Sequence, residues 1–457
     1  MLKAYEEYKN ADIPWCTEIP FSWSVNRGKA IFNNPKEINK DGLCGNVLSL
    51  TLKGVIRNNR DNPVGLTPKS YETYQIFEKN NLVFKLIDLE NISTSRVGLV
   101  KEKGIMSPAY IRIELKNIES YNMKFFFYQY YSMYKRNIFN GLGAGVRQTL
   151  SGDDLLVIKI AVPPKPEQDQ IVRYLDWKTS EMNRFIHQKK KQIKMLEELK
   201  CSKINELITK GINKNTVMKD SGIEWIGQIP ENWQIDHIKQ HFTIKKRIAG
   251  KEGYAVLSIT QQGIKEKDIS SNEGQMAQSY ANYQFVYPGD FAMNHMDLLT
   301  GYVDISKQFG VTSPDYRVFV LSDTEHCYAP FYLRVFQIGY KRRIFYKFGK
   351  GAAHQGRWRL PKTAFYDFAI QVPPIEEQKI IEKKCKDIEK KIDEMIFGLR
   401  KEIELVEELK VRLISDVVTG QVDVRNEVIP NYEVDSSDDE VEDDVDEEST
   451  DENIDEE

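Results

Sequence analysis

The chain has 457 residues, 41% of them hydrophobic, with 23 tyrosines and a formal net charge of −4. That length suits two or three domains with cores of their own, and no run of 18 apolar residues is present, which argues against a membrane span. The start, Met1-Leu2-Lys3-Ala4-Tyr5-Glu6-Glu7, lacks the apolar stretch of a secretory signal. Cys16, Cys44, Cys201, Cys327 and Cys385 make an odd set without a CxxC, which predicts a reducing cytoplasm and no disulfide framework.

Residues 12–23 place Trp15, Ile19, Pro20 and Trp23 in a frame that returns, 210 residues later, as Trp225, Ile229, Pro230 and Trp233. A repeat this long is a domain duplication, not a solenoid. The tryptophans read as anchors at the N-terminal edge of each domain. After them come short strands broken by turns: Tyr74–Phe77 before Asn80-Asn81, and Tyr283–Val286 before Pro288-Gly289-Asp290. Segments around Leu82–Leu86 and Phe291–Met293 are predicted central strands. Gly104–Tyr110 echoes Gly310–Tyr316, now 206 residues apart, so the frame is shared while the filling differs.

Each copy then has a glycine-rich loop with basic neighbours. The first is Gly141–Gln148, with Arg147. The second runs from Gly349 to Arg359 and holds His354, Gln355, Arg357 and Trp358. Glycines allow close backbone approach to phosphates, and Arg, Gln or His can reach base edges. Neither loop fits a P-loop, and the alternative reading is a plain connection between strands. Val162-Pro163-Pro164 and Val372-Pro373-Pro374 close the globular parts, because proline pairs block helix and mark its start just beyond. Glu167-Gln168 and Glu377-Gln378 then fall in first turns, where acidic groups suit the helix dipole.

Two long helices are predicted, 166–212 and 376–420. In the second, Ile381, Cys385, Ile388, Ile392, Met395, Leu399, Val406, Leu409 and Leu413 alternate steps of four and three, interrupted only at Glu402. That is a coiled-coil seam, which needs a long partner helix. The first helix offers Ile171, Leu175, Met182, Phe185, Leu196 and Leu199 at matching positions, broadened by Ile186, Ile193, Ile204 and Leu207. Gly211 and Gly420 are predicted C-caps. Residues 433–457 hold 16 acidic residues and no Lys or Arg, which predicts a disordered, solubilising tail; a DNA-mimicking segment is the sharper alternative. Taking those 16 from 68 leaves 52 acidic against 64 basic residues, so 1–432 carries +12 and admits a polyanionic partner.

The fold class is therefore α+β: two tandem α/β domains, each followed by a long helix, the two helices pairing as an antiparallel coiled coil, with a disordered acidic C-terminal tail. The divisions are domain one at 1–165, helix 166–212, linker 213–221, domain two at 222–375, helix 376–420, extension 421–432 and tail 433–457. No catalytic set is visible. There is no [DNS]-P-P-[YF] tetrapeptide, no GxGxxG, no Walker A and no HExxH. His237 and His241 stand at i, i+4, but no neighbouring Cys or His in sequence completes a zinc set, so they read as surface histidines and no metal is expected.

The W-x-x-x-I-P-x-x-W openings, the G-(I/V)-x-S-P-x-Y segments, the V-P-P-x-x-E-Q helix starts and the E-E-L-K helix endings occur twice in the same order. Together they resemble the specificity subunit of type I restriction-modification systems over roughly residues 11–425. The resemblance implies a non-catalytic, cytoplasmic protein acting in defence against foreign DNA. Each domain would be a target recognition domain reading one half of an asymmetric bipartite duplex DNA site. The partners implied are two modification (methyltransferase) subunits that methylate adenine N6 and two ATP-dependent restriction subunits. S-adenosylmethionine, ATP and Mg would sit on those partners, with no cofactor on this chain. Half-sites one helical turn apart lie about 34 Å apart, and a helix of 40 residues spans about 60 Å, so helix length would set the gap.

Residues predicted to meet DNA are Arg57, Asn58, Asn59, Arg60, Arg147 and Gln148 in the first domain, and Lys245, Lys246, Arg247, Lys251, His354, Gln355, Arg357 and Arg359 in the second. Arg and Lys suit phosphate or guanine; Asn and Gln suit adenine. Competing readings are an enzyme fusing recognition to chemistry, a coiled-coil adaptor with no DNA role, and an orphan anti-restriction or regulatory DNA-binding protein.

Overall fold

The computed structural model describes residues 3–59, 68, 70–87, 89, 95–143, 149–269, 277–351 and 358–432. The predicted tail lies outside them. Contacts divide the chain into two units. One holds the described residues of Met1–Lys189 and Arg400–Asp444, the other those of Lys190–Leu399.

Four long helices organise the chain: α1 (Met123–Lys135), α2 (Lys165–Lys210), α3 (Ala329–Lys341) and α4 (Ile375–Val418). The first unit carries a sheet of β1 (Phe32–Asn33), β2 (Leu82–Phe84), β3 (Val97–Leu99) and β4 (Ile111–Leu115), in the order β1-β4-β2-β3. The second unit repeats it with β5 (Phe242–Lys245), β6 (Phe291–Met293), β7 (Val303–Ile305) and β8 (Arg317–Leu321), in the order β5-β8-β6-β7. Registers correspond: Ile113 faces Leu82, as Phe319 faces Phe291. The interior strands β2 and β6 are buried at every residue, as their unbroken apolar runs predict.

One amphipathic helix covers each sheet. Phe32 packs edge-on to Phe126 of α1 at 4.9 Å, and Phe242 to Tyr332 of α3 at 5.5 Å. Burying each such ring is worth about 1.5–3 kcal/mol. Trp23 and Trp233 are fully buried, whereas Trp15 and Trp225 are only half-buried, so the second tryptophan of each frame is the anchor.

Within each unit the long helices run antiparallel. In the first, Asn183 accepts from Lys410 at 2.6 Å and Lys189 pairs with Glu402 at 2.6 Å; in the second, Lys200 pairs with Asp393 at 2.7 Å. The seam differs in phase from the heptad predicted. Ile381, Cys385, Ile388 and Ile392 keep it, but Ile396 is buried and Met395 is 48% exposed. The inward positions continue at Leu399, Ile403, Val406, Lys410 and Leu413, leaving Leu409 52% exposed. Two successive steps of four, 388 to 392 to 396, are a stutter that returns the helix towards its own period of 3.6. Glu402 is thus no seam interruption but a flank residue half exposed beside Lys189. On α2, Ile171 and Leu175 lie in the first core, Met182, Ile186, Ile193 and Leu196 point inward, and Leu199 is 45% exposed.

The helix ends bring further corrections of boundary. Gly211 and Gly420 cap α2 and α4 with φ of 72° and 73°. Residues predicted as linker form a strand, Met218–Asp220, paired with Gln228–Pro230. The extension 421–432 belongs to the first unit: Asp423 N donates to Lys3 O at 2.8 Å, and Gln170 Nε2 to Val424 O at 3.1 Å. Ile414, Val417, Val418 and Val424 complete the first core, and Ile204 and Ile208 complete the second. Each core therefore includes the end of the helix that follows the other domain.

Candidate nucleic-acid interface

Two loops and a hairpin carry the described candidates. In the first unit, Leu48–Thr51 pairs with Gly54–Arg57, and the chain leaves the hairpin at Arg57-Asn58-Asn59. Arg57 is 72% exposed and makes a two-pronged contact with Glu102, Nε to Oε1 at 2.5 Å. An exposed pair of this kind is screened by water and contributes little, so a phosphate can displace the carboxylate. Asn58 Nδ2 donates to Ser49 Oγ at 2.7 Å, which fixes its amide at the hairpin's end. Asn59 is exposed. Arg60, Arg147 and Gln148 lie outside the described residues.

In the second unit the matching hairpin is Leu257–Thr260 with Gly263–Glu266. Asn58 N donates to Val47 O, and Lys267 N to Val256 O, both at 2.8 Å. Glu266 thus takes the backbone place of Arg57, and Lys267 that of Asn58. Lys245 ends β5 half-buried, and Lys246 is exposed. Arg247 is held by Asp290, Nη1 to Oδ2 at 2.7 Å and Nη2 to Oδ1 at 3.3 Å, and lies over the Tyr287 ring at 4.9 Å. Asp290 is buried, so this pairing orients Arg247 rather than leaving it free to swing. Its backbone counterpart is Glu37: Phe285 N donates to Arg247 O as Ile76 N donates to Glu37 O, both at 2.7 Å.

Lys251 sits over Tyr254 at 5.8 Å. Tyr254 packs on Phe285 at 4.9 Å and Phe309 at 5.9 Å, and Tyr287 on Phe309 at 5.1 Å. Tyr287 and Phe309 are more than two-fifths exposed. Arg247 and Lys251 therefore flank an exposed aromatic cluster, a surface on which bases can stack beside phosphate-binding charge. Sequence reasoning chose the two cations and missed the rings, which come from three separate segments.

The second glycine loop is closed at its neck. Lys350 N donates to Arg359 O at 2.8 Å and Arg359 N to Lys350 O at 3.1 Å. Trp358 stacks on Tyr346 at 5.4 Å and donates to its carbonyl at 2.6 Å. Arg359 is exposed at this neck; His354, Gln355 and Arg357 at the tip lie outside the described residues. Behind the neck is His295, whose carbonyl accepts from Leu360 N at 3.0 Å. Burial, reinforced by Arg317 and Arg359, pushes the His295 imidazole down to about 3, so it is neutral at physiological pH.

The chain matches the family model for the type I restriction modification DNA specificity domain twice, over residues 24–195 and 230–405. The chain belongs to this family. Its members serve DNA sequence specificity in type I restriction-modification. The type I restriction enzyme MjaVIII specificity subunit of Methanocaldococcus jannaschii is 24% identical over 409 residues, covering 85% of each chain. A chain from a solved structure on complex assembly and conformational transition of the type I R-M system has a TM-score of 0.57 at 12% identity, covering 88% of this chain and 98% of that one. The HsdS subunit of Thermoanaerobacter tengcongensis gives 0.40 at 12% identity, covering 90% and 98%.

The motifs shared by the two copies have structural reasons in the chain. In V-P-P-x-x-E-Q, the glutamate accepts from the anchor tryptophan: Trp23 Nε1 to Glu167 at 2.8 Å, Trp233 Nε1 to Glu377 at 3.0 Å. The glutamine accepts from the backbone that opens the covering helix, Asn122 N to Gln168 and Tyr328 N to Gln378, both at 2.8 Å. The S-P-x-Y turn is held by Gln284, whose Nε2 donates to Ser313 O at 2.9 Å and Tyr316 O at 2.7 Å. The histidine reading needs correction. His237 is exposed, but His241 is buried between Asp236 and Asp323, with Cys327 alongside. Asp323 is 82 residues away in sequence, so no local spacing announced it. Among the described residues, no helix is long and apolar enough to cross a membrane.

Proposed function

We propose that this chain is the DNA-reading subunit of a type I restriction-modification complex, its two units reading different halves of an asymmetric bipartite site. The carrying observation is that backbone-equivalent positions hold different chemistry: Arg57 against Glu266, Asn58 against Lys267, and Glu37 against Arg247. A palindromic site needs the same side chains at both places; a shared frame with divergent filling suits two unlike half-sites. The chain has no catalytic set of its own in this reading. Two modification subunits carrying S-adenosylmethionine would methylate adenine N6, and two restriction subunits using ATP and Mg would cleave unmethylated DNA. Flipping the target base requires a pocket, which falls to the modification subunit.

The test is selection from a random duplex library by the chain assembled with its modification subunit, followed by sequencing. Two short unlike half-sites at a fixed gap are expected. A single contiguous or palindromic motif overturns the reading.

A further inference from the structure

Among the described residues, one group brings histidine, carboxylate and thiol donors together. One atom each of His241, Asp323 and Cys327 lie within 4.8 Å of one another. His241 ends the short helix Ile238–His241, and Asp323 and Cys327 sit in the turn between β8 and α3. His241 and Cys327 are buried, at 6% and 2% exposure. His241 Nδ1 is 2.9 Å from Asp323 Oδ2, and its other nitrogen, Nε2, is 2.9 Å from Asp236 Oδ2.

We propose that His241 Nδ1, Asp323 Oδ2 and Cys327 Sγ bind a zinc-class divalent ion, with His326 as the fourth ligand. Asp236 lies 2.9 Å from Nε2, on the side of the ring away from Asp323, so Nδ1 is the nitrogen left to face the ion. A ligating histidine held by a carboxylate on its far side is the usual outer shell of a zinc site. A tetrahedral zinc with bonds of 2.0–2.3 Å holds its donors about 3.3–3.6 Å apart. The His241–Asp323 contact is 2.9 Å and no pair among the three exceeds 4.8 Å, so shifts of about 1 Å or less in each donor reach that spacing. His326 is 66% exposed and already tied to the same carboxylate, Nδ1 to Oδ1 at 3.0 Å, so a turn of its ring closes the shell.

The shared fold does not need this cluster. In the first unit, backbone equivalents follow from matched bonds: Ser322 N to His241 O at 2.8 Å corresponds to Lys116 N to Ile31 O at 2.9 Å. By that alignment Asn26, Ile31, Asn117, Ser120 and Tyr121 replace Asp236, His241, Asp323, His326 and Cys327. Every position that would ligate or support the ion in the second unit is neutral in the first, and the same backbone forms without it. The ion would pin the β8–α3 turn to the start of β5 in the second unit alone.

The test uses the full chain, stripped with chelator, desalted and titrated with Zn2+ or Co2+. One zinc retained per chain by mass spectrometry is expected, with a rise in melting temperature. Co2+ should give a near-ultraviolet thiolate charge-transfer band that vanishes in Cys327→Ser and persists in Cys201→Ser. Asp323→Asn, checked by circular dichroism, should lose zinc retention while folded, which keeps the test decisive if Cys327→Ser fails to fold. A folded wild-type chain that retains no ion overturns the site. So does a cobalt complex lacking the thiolate band, or one whose band survives Cys327→Ser.

Discussion

Replacing Glu167 by Ala strands two buried donors. Trp23 Nε1 at 2.8 Å and Tyr5 OH at 2.6 Å both donate to Glu167 Oε1, and all three residues are buried. Each buried donor left without an acceptor costs about 1–3 kcal/mol, so the two together put the loss on Glu167→Ala in the first unit at about 2–6 kcal/mol. Glu377 provides an internal control, because among the described residues it accepts from the Trp233 side chain without a tyrosine partner and is only half-buried, so water can reach the vacated place. Glu377→Ala should cost the second unit about 1–2 kcal/mol, the low end of the same scale. Glu167→Gln keeps one carbonyl oxygen where both donors converge and should lose about 1 kcal/mol. Urea-dependent hydrogen exchange read by mass spectrometry on peptides spanning Ser24–Arg27 and Gln234–His237 resolves the two units. Equal losses for the two alanine variants, or a glutamine variant as damaged as Glu167→Ala, would refute the shared-acceptor reasoning.

The stutter predicts that Ile396→Glu, which buries a charge, destabilises the helix pair by several kcal/mol, while the neighbouring Met395→Glu stays within about 0.5 kcal/mol; thermal melts of the two variants compare them directly. His295 stays neutral in the folded state down to about pH 3, while the unfolded chain takes up a proton near 6.5. The unfolded state therefore binds more protons between those values, and the second unit should lose stability as pH falls through that window. Leu86 holds the matching place in the first unit, its carbonyl accepting from Leu150 N as that of His295 does from Leu360 N; His295→Leu should therefore flatten that loss, and an unchanged pH profile counts against it. Arg57→Ala should weaken DNA binding and shift preference in one half-site only, with the salt slope falling by about 1 if the contact is to phosphate, measured by fluorescence anisotropy across a salt series. Asp290→Asn should loosen Arg247 and weaken binding without unfolding the sheet, which a parallel circular dichroism spectrum checks.

The duplication was legible because tryptophan, proline and glycine frames recur at offsets of 210 and 206 and each constrains backbone. Paired helices were legible from their period. The phase of the seam was not, because apolar residues at both 395 and 396 satisfy a pattern, and only packing against the partner chooses Ile396. The joining of the extension 421–432 to the first unit was hidden for a different reason: its bonds to Lys3 and Gln170 connect opposite ends of the sequence. Glu167 and Glu377 read as helix-dipole acids, yet each also accepts from a tryptophan 144 residues earlier. Of the candidate DNA residues, the cations were visible as charge, whereas Tyr254, Tyr287 and Phe309 come from separate segments and only the fold brings them together and leaves Tyr287 and Phe309 exposed.

The central claim is that this chain supplies DNA sequence specificity to a modification partner. Single-molecule sequencing of methylated adenines, in a host carrying the chain with its modification subunit and in one lacking the chain, addresses it directly. The account predicts a split motif of two unlike half-sites, methylated only when the chain is present. Methylation that is the same with and without the chain, while the modification subunit is active, would contradict it.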